Sequence, residues 1–402
     1  MAAQTKLHIV GTGCCLMDYL YTQVDFSARE YQSVMSQTAG DGGLRPGALV
    51  FSEDFEAFCK VPFQPWLSSL TGGRAPDAEN LGGPAIVALI HAAQMLHDEE
   101  VCLSFHAGYG GDDTGRRMQQ LIGSTPVDAS AYVEVTGSSP STVVLSDPAY
   151  HDGKGERTFI NTIGAAGSYA PEMLGDAFFD SDIALFGATA LVPQLHDGLS
   201  GLLRRARASG AVTVVGTVYD FRNEQRHPER PWPLGDSRVS FPLIDLLVCD
   251  REEALRISGC DDVSAAIATF LEGGIGSVVV THGAQCIHLA SGGGVFKAQP
   301  LTTLPVSGAI NDALAAGDGT GGDTTGCGDN FLGGALTSLA RQMLDGRRQG
   351  LDLVDASAWG VASGGYACFY PGGTFIEPAP GHKREHIAAY HAAYLTQIGV
   401  AG

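Results

Sequence analysis

From Pro171 onwards, short apolar runs alternate with segments of helical periodicity. The runs read IALFGA, VTVVGTVY, LIDLLVCD and SVVVTHG, and the helical segments cover 194–208, 252–258, 262–272 and 329–344. Runs that are apolar throughout are typical of strands buried on both faces, and strand–helix alternation makes such strands parallel neighbours. The pattern therefore predicts an α/β fold, in which a mostly parallel central sheet lies between two layers of helices.

Two segments before Pro171 do not show this pattern. The first is punctuated by the turn signals GDGGLRPG and TGGRAP, and the second contains the short runs AYVEVTG, STVVLSDP and ERTFINTI. Short runs with partial alternation, separated by turns, are typical of a small antiparallel sheet. We therefore expect a β-rich lid formed by residues 19–81 and 128–163, over a core formed by 1–18, 82–127 and 164–402.

Composition excludes several classes of protein. The 54 glycines follow no G-X-Y period, and 24 Lys and Arg against 44 Asp and Glu give a net charge of −20, which opposes binding to nucleic-acid backbones. Nine cysteines without zinc-type spacing indicate reduced thiols. The N-terminus lacks the pattern of a signal peptide, and the longest apolar stretch, LGGPAIVALIHAAQML, is too short to span a membrane. We expect a cytoplasmic protein that binds small molecules.

The run GGDTTGCGDNFLGGALTSLARQML places glycines and a carboxylate at the start of a helix. Apolar residues recur at 331, 332, 335, 336, 339, 340, 343 and 344, which predicts a one-sided helix. The N–H groups of Gly326, Cys327 and Gly328 then lie at its N-terminus, where they can stabilise a transferring phosphoryl group. Asp329 beside them can take the proton of an attacking hydroxyl, although Asp is also a common helix cap.

The segment DTTGCGD, residues 323–329, resembles the Asp-Thr-x-Gly-Ala-Gly-Asp signature of the ribokinase (PfkB) family of carbohydrate and nucleoside kinases. Cys327 replaces the Ala, an exchange that an anion hole made of backbone amides should tolerate. The resemblance implies a ribokinase-like three-layer sandwich with Asp329 as catalytic base. It also implies a monovalent cation such as K⁺ beside the anion hole, held by Asp323 and Thr325.

Further segments follow the family's order between about residues 7 and 370. For the acceptor, the resemblance implies that Asp18 binds substrate hydroxyls, that Gly82 and Gly83 let the backbone approach the substrate, and that Arg157 lies near it.

The nucleotide half of the site is predicted from two further motifs. Asp250 and Glu253 match the family's Asn-x-x-Glu motif, with Asp in place of Asn, and Glu253 is expected to hold Mg²⁺ through water. A helix N-terminus enriched in acidic residues by its dipole is the alternative interpretation, for Glu252 at least. Thr281 and Gly283 resemble part of the family's nucleotide loop.

We therefore expect a kinase that uses Mg²⁺ and ATP to phosphorylate a hydroxyl of a small sugar. A nucleoside is the alternative acceptor, because YTQVDFSAREYQ and DGGLRPGALV resemble the longer lid of adenosine-kinase-like members. A ribokinase-fold protein that binds a metabolite without catalysis is a third possibility, motivated by the departures from the family pattern at Ile86, Asp250 and Cys286. A dinucleotide-binding protein is disfavoured because Leu16 breaks the Gly-x-Gly-x-x-Gly fingerprint.

Two further expectations concern surfaces. Exposed edges of the lid sheet could pair between subunits, which would give a homodimer through the lid. The Gly-rich segment 307–322 precedes the signature and predicts a mobile loop.

Overall fold

The computed structural model describes residues 6–38, 40–153, 155–319 and 321–400, which form two sheets surrounded by helices. The strands in these ranges are β1 (Leu7–Gly13), β2 (Leu16–Tyr21), β3 (Leu49–Phe51), β4 (Ala78–Gly82), β5 (Val101–Tyr109), β6 (Tyr132–Glu134), β7 (Ser141–Asp147), β8 (Glu156–Thr162), β9 (Ile183–Gly187), β10 (Val212–Gly216), β11 (Leu246–Asp250), β12 (Ser277–His282), β13 (Cys286–Ser291) and β14 (Gln299–Pro305). The α-helices are α1 (Arg29–Gln32), α2 (Ser52–Cys59), α3 (Phe63–Thr71), α4 (Pro84–Met95), α5 (Asp113–Gly123), α6 (Tyr150–Gly153), α7 (Asp176–Phe179), α8 (Pro193–Asp197), α9 (Leu199–Ala208), α10 (Phe221–Arg226), α11 (Arg251–Ser258), α12 (Val263–Glu272), α13 (Gly308–Ala315), α14 (Cys327–Leu344), α15 (Leu353–Tyr366) and α16 (His382–Gln397). Short 3₁₀ turns cover Gly164–Ser168, Pro171–Met173, Thr189–Leu191, Ser237–Leu243 and Ala367–Phe369.

The larger sheet has the strand order β14-β13-β12-β11-β10-β9-β1-β5-β6. Its strands from β12 to β6 run parallel to their neighbours, whereas β13 and β14 add an antiparallel edge. Parallel strands joined through helices need cover on both faces. The strand–helix alternation after Pro171 therefore predicted this part of the fold, a mostly parallel central sheet between two layers of helices, correctly.

Each face of the larger sheet has its own apolar core. On one face, Ile9 and Val214 pack with Leu89 of α4 and Leu336 of α14. On the other face, Val10 lies among side chains of α9, α11 and α12. Within α14, the adjacent Gly333 and Gly334 bring the helix close to its neighbours, because a Cβ on Gly334 would lie 2.4 Å from the carbonyl oxygen of Trp359 in α15. The site-bearing helix is thus fixed tightly to the core.

The smaller sheet has the order β3-β8-β7-β2-β4. One face carries Val143, Leu145 and Ile160, which pack with aromatic side chains of α1 to α3, including Phe55 and Trp66. The other face is left for the site. Strand β2 follows β1 after two residues, so the smaller sheet is attached directly to the middle of the larger one.

The structure corrects two details of the predicted lid. AYVEVTG does not join the small sheet: β6 pairs in parallel with β5 and extends the large sheet. Burial of the Tyr132 ring, whose centroid lies 5.5 Å from that of Phe105 and 4.9 Å from that of Tyr109, accounts for this position. The small sheet is also mixed, not antiparallel, because β2 pairs in parallel with β7 and β3 with β8. The proposed boundary at residue 18 falls inside β2.

The segment 307–322, predicted to be a mobile loop, contains the helix α13 in its described part. Ser307 caps this helix by accepting a hydrogen bond from the Ile310 N–H, and the Ile310 side chain is buried against the core. The loop prediction was wrong for residues 308–315, where the buried Ile310 anchors a helix whose other residues, apart from Leu314, are small or polar. In the part of the chain described, no helix is both long and apolar enough to span a membrane.

Candidate active site

The N-terminus of α14 carries the predicted anion hole. Gly326 adopts a left-handed conformation with φ of 72°, and a Cβ there would lie 2.4 Å from the Cα of Gly373, so only glycine fits. Cys327 is the first helical residue, two residues before the predicted start at residue 329. A Cβ on Gly328 would meet no atom within 4 Å, which shows open space beside this residue. The first N–H groups of a helix have no partner within the helix and can bind an anion in such a space. The Cys327 N–H also donates a long hydrogen bond, 3.4 Å, to the Thr324 carbonyl oxygen.

Asn330, which the sequence analysis did not single out, supports this loop from below. Its side-chain amide donates to the carbonyl oxygens of Gly326 at 2.9 Å and Gly373 at 2.8 Å. Its Oδ1 accepts from His91 Nδ1, Tyr370 OH and Lys383 Nζ at 2.8, 3.1 and 3.2 Å. This set of buried polar groups fixes the start of α14 to the segment after α15. Nothing in the linear sequence marks it, because its members are far apart along the chain.

Burial raises the pKa of Asp329 to about 7. Burial likewise raises the pKa of Asp18 to about 7, opposed by a hydrogen bond from Thr142 and assisted by the negative charge of Asp329. Burial and the charge of Asp250 raise the pKa of Glu253 to about 7, and Asp329 contributes here as well. Asp329 thus acts electrostatically on both other carboxyls. The predicted base is therefore close enough to the predicted acceptor residue and to the predicted magnesium residue to raise the pKa of each.

Asp18 lies on β2, on the face of the small sheet opposite α1 to α3. Its Oδ2 would be only 2.2 Å from a Cβ on Gly82, so the glycine makes room for this carboxylate. Gly83 has φ of 102°, and a Cβ there would lie 2.6 Å from the carbonyl oxygen of Cys14. Both glycines therefore allow close packing around β2. The sequence analysis had instead predicted that they let the backbone approach the substrate.

Strand register places a row of side chains across the same face as Asp18. Asn80 and Thr142 pair with Asp18 on either side, Asn161 pairs with Thr142, and Phe51 pairs with Asn161. Directly paired residues project to the same side of a sheet. This face therefore presents polar groups beside Asp18 and an aromatic ring at its far end. The sequence analysis missed the row because register cannot be read from separate strands.

Arg157 is not brought to this row. It pairs with Ser146, is exposed, and lies four residues along β8 from Asn161, which corresponds to about 13 Å at the usual rise of a strand. The structure therefore leaves Arg157 at the distant end of the small sheet.

Asp250 and Glu253 form a capping box at the start of α11. The Glu253 N–H donates to Asp250 Oδ1 at 2.7 Å, and the Asp250 N–H donates to Glu253 Oε2 at 3.1 Å. Thr217 Oγ1 also donates to Glu253 Oε2, at 2.5 Å. The helix-start alternative therefore describes their local geometry. Within the described residues, no three His, Cys, Asp or Glu side chains are grouped closely enough to hold a metal ion.

A cavity of about 380 Å³ adjoins the start of α14. Thr281 and Gly283 line it together with Cys327 and Gly328, so the structure brings the predicted nucleotide loop and the anion hole to one cavity. Ile310 of α13 also lines it, which gives the segment 307–322 a place in the site. Cys286 is not among the lining residues; its sulfur lies 3.4 Å from His288 Nε2.

Asp323 connects the segment before the anion hole to the segment after α15. Its Oδ1 accepts from the Thr325 N–H at 2.8 Å and from the Gly372 N–H at 3.4 Å. Nearby, the sulfurs of Cys327 and Cys368 are 3.4 Å apart, and the hydrogen bond from Cys327 lowers the pKa of Cys368. All nine cysteines lie in the described part and are free thiols, as predicted.

A parallel sheet covered on both faces, a smaller sheet beside it and a glycine-flanked carboxylate at a helix N-terminus define the ribokinase-like class of α/β proteins. The sequence model of the pfkB family of carbohydrate kinases matches residues 79–380. The chain belongs to this family, so it is a kinase by family, that is, a phosphotransferase. No curated protein matches it.

Solved structures with the same fold include kinases for different acceptors. The adenosine kinase from Sinorhizobium meliloti has 18% sequence identity and a TM-score of 0.66, with 96% of this chain and 99% of that chain covered. The fructokinase with bound ATP from Xylella fastidiosa has 16% identity and a TM-score of 0.63, with 98% and 99% covered. The ribokinase from Thermotoga maritima has 16% identity and a TM-score of 0.59, with 96% and 99% covered. At these identities the likeness establishes the fold alone.

Proposed function

We propose that the protein transfers the γ-phosphate of ATP to a hydroxyl of a small sugar, with Asp329 as the base. The position of Asp329 carries this proposal, since its charge acts on both Asp18 and Glu253. A base in phosphoryl transfer must reach the acceptor hydroxyl while the phosphate is held next to it. With a pKa near 7, Asp329 takes up a proton more readily than an ordinary carboxylate and is still about half ionised at neutral pH.

The phosphates would lie over the start of α14. The N–H groups of residues 326–328 would hold the transferred phosphoryl group, and the 380 Å³ cavity with Thr281 and Gly283 would hold the rest of the nucleotide. The structural neighbour from Xylella fastidiosa with bound ATP supports this choice of donor.

The carboxylates at the start of α11 fit Mg²⁺. The capping bonds use Oδ1 of Asp250 and Oε2 of Glu253, so the remaining oxygens are available to water molecules of a hydrated ion. Mg²⁺ usually retains several waters and is bound through one or two carboxylates together with phosphates, which suits two carboxylates without a full protein cage. When bound, Mg²⁺ would neutralise charge on the phosphates. A monovalent cation such as K⁺ would similarly suit the oxygen atoms of Asp323 and Thr325, which lie beside the anion hole.

The row beside Asp18 suits a polyhydroxylated acceptor. Asp18 and Asn161 can accept hydrogen bonds from hydroxyl groups, and Asn161 and Thr142 can also donate them. Such polar groups in a partly buried site discriminate strongly against ligands that lack the matching hydroxyls. A small sugar offers several such hydroxyls in one plane, which makes it the first candidate.

A nucleoside remains the second candidate acceptor because of one aromatic cavity. Phe51 and Phe159 of the small sheet and Tyr219 and Phe221 of the core line a cavity of about 660 Å³. Phe51 also ends the row that contains Asp18. Aromatic rings in the cavity at the end of this row would suit the base of a nucleoside, since stacking on aromatic side chains is a common way to bind a base.

The test is coupled ADP release with Mg²⁺ and ATP against pentoses, hexoses, sugar acids, polyols and nucleosides. Turnover of one acceptor should fall by about 10²-fold or more in Asp329→Asn, the scale expected for loss of a general base. Asp113→Asn is the matched control, because Asp113 also lies in the first turn of a helix but is exposed. Equal loss in both variants, or nucleotide binding without turnover of any acceptor, would count against the proposal and favour a metabolite-binding protein without catalysis.

A further inference from the structure

Two cysteines meet at the phosphate end of the cavity. Cys327 is the first residue of α14, and Cys368 lies in the 3₁₀ turn Ala367–Phe369 that follows α15. Their sulfurs are 3.4 Å apart, and both side chains are partly exposed and line the 380 Å³ cavity. A small solute that enters the cavity therefore meets both thiols together.

We propose that hydrogen peroxide converts Cys327 and Cys368 into a reversible disulfide, and that this modification switches the phosphate site off. Either sulfur can donate the hydrogen bond that joins the two thiols. The bond lowers the pKa of Cys368, so Cys368 is taken as the first nucleophile. The Cys368 thiolate attacks the peroxide, the O–O bond breaks, and hydroxide leaves to become water. Cys327 sulfur then attacks the resulting sulfenic acid, the S–O bond breaks, and the oxygen leaves as water with the Cys327 proton. Two thiols are oxidised by two electrons and one peroxide is reduced to two waters.

The two chain segments that carry the cysteines are in contact. Disulfides require a sulfur–sulfur distance of about 2.0 Å and Cα atoms about 4.4–6.8 Å apart. A Cβ on Gly364, at the end of α15, would lie 2.8 Å from the Cys327 carbonyl oxygen, and a Cβ on Gly322 would lie 2.1 Å from the Cys368 carbonyl oxygen. The two chain segments thus touch on both sides of the sulfur pair. Closing the pair requires the sulfurs to approach by about 1.4 Å, which is the difference between 3.4 Å and the bond length.

The expected effect on turnover rests on the proposed function. The bond would tie the first helical residue of α14, whose N–H belongs to the anion hole, to the turn that already packs on Gly322. The backbone between these two contacts contains Gly326. This residue has a left-handed conformation and packs directly against Gly373. A displacement of about 1 Å at a catalytic group can lower a rate by about 10²-fold. The disulfide should therefore reduce turnover strongly without unfolding the protein.

Other cysteines provide internal controls. Cys14 and Cys15 are adjacent and buried, so peroxide reaches them less readily. Cys286 is partly exposed like the proposed pair, but its sulfur contacts His288. Cys286→Ser therefore removes one accessible thiol without touching the proposed pair.

The first experiment identifies the bond. The full-length protein is treated with hydrogen peroxide, blocked with an alkylating reagent and digested without reduction, and the peptides are identified by mass spectrometry. We expect one cross-linked peptide pair that joins Cys327 to Cys368, lost in Cys368→Ser, retained in Cys286→Ser and removed by dithiothreitol. Alkylation of both cysteines after peroxide, or their irreversible oxidation without a cross-link, overturns the proposal.

The second experiment measures the switch. Each protein's turnover after peroxide is divided by its own turnover when reduced, so that differences in basal activity cancel. We expect a loss of at least about tenfold in the wild type and Cys286→Ser, restored by dithiothreitol, and little loss in Cys368→Ser. A cross-link that leaves turnover unchanged overturns the switch. If no acceptor supports turnover in the reduced protein, the proposed function fails, while the cross-link is still decided by the peptides.

Discussion

Asp329 illustrates at the scale of one residue how a functional group can oppose stability. Its pKa is about 7 in the folded protein and 3.8 by reference, so between these values the folded state binds more protons than the unfolded state. The contribution of Asp329 to stability therefore falls as pH rises from about 4 to 7, and the penalty is complete above pH 7. The contribution of Asp18 to stability changes with pH in the same direction, since burial raises its pKa to about 7 as well.

We predict that Asp329→Asn unfolds at a higher denaturant concentration than the wild type at pH 8, although it loses turnover. The free energy of unfolding should rise by about 1–2 kcal/mol. This is less than 1.4 kcal/mol for every pKa unit by which burial raises the Asp329 pKa, because the carboxyl is partly exposed to water. The gain should shrink as pH falls from 7 to 5. Urea unfolding at both pH values measures it, with the exposed Asp113→Asn as a control that should change little. A variant that is less stable at pH 8 would contradict the assigned pKa.

The second prediction at this scale concerns the space that Gly82 leaves for Asp18. Gly82→Ala places a methyl group 2.2 Å from the present position of Asp18 Oδ2, so the carboxylate must move. We expect the acceptor KM to rise, or kcat/KM for the acceptor to fall, by about tenfold or more, with a much smaller change in the KM for ATP. Gly201→Ala is a suitable control, because the added methyl meets no atom within 4 Å and the site lies in helix α9. A similar loss for both substrates would show general disruption instead.

At the scale of elements, one side chain connects the small sheet to the segment after α15. Asn80 of β4 donates to the Thr374 carbonyl oxygen at 3.1 Å and accepts from the Thr374 N–H at 3.0 Å. The strand that flanks Asp18 is thereby held against the same segment that Asn330 fixes beneath the anion hole, through Gly373. The acceptor side and the phosphate side of the site share this support.

We predict that Asn80→Ala lowers the free energy of unfolding by about 1–3 kcal/mol, since it leaves two backbone groups of Thr374 without a partner. The free energy of unfolding of Asn80→Asp should lie between those of Asn80→Ala and the wild type. Its side chain keeps an acceptor for the Thr374 N–H but loses the donor to the Thr374 carbonyl oxygen. Urea unfolding orders the three proteins, and limited proteolysis should cut faster within 371–377 in Asn80→Ala. Equal stability of all three proteins would show that the bonds do not hold the segment.

The sequence revealed those elements whose signal is local. The helix α14 and the strands β9 to β12 were predicted because their apolar residues recur within one segment. The prediction of a one-sided helix was wrong, since α14 is buried continuously from Asn330 to Ala340, and β13 and β14 were not predicted. The strand β6 was misassigned because its partner is selected by packing of Tyr132 on Phe105 and Tyr109, which no local pattern shows. The row from Asn80 to Phe51 and the contacts of Asn330 depend on register and on distant segments. The motif residues could therefore be named in advance, but the groups that position them could not.

At the scale of the whole molecule, the net charge of −20 works against an anionic substrate. Local amides and carboxylate-bound Mg²⁺ would hold the phosphates at short range, whereas the overall charge repels them at longer range. Salt screens exposed charges beyond about 10 Å at 0.1 M ionic strength and affects a buried contact much less. Salt should therefore reduce the repulsion more than it weakens the binding contacts.

We predict that the KM for Mg²⁺ and ATP falls by up to a few-fold when choline chloride is raised from about 20 to about 200 mM, the direction opposite to that of a site formed by clustered lysines and arginines. Choline chloride is used because KCl would also supply the cation proposed for Asp323 and Thr325. At equal ionic strength, any additional activation by KCl measures that cation alone, and it should be lost in Asp323→Ala while the choline effect remains. A KM that rises with choline chloride would mean that positive side chains, and not backbone amides and a metal ion, bind the phosphates.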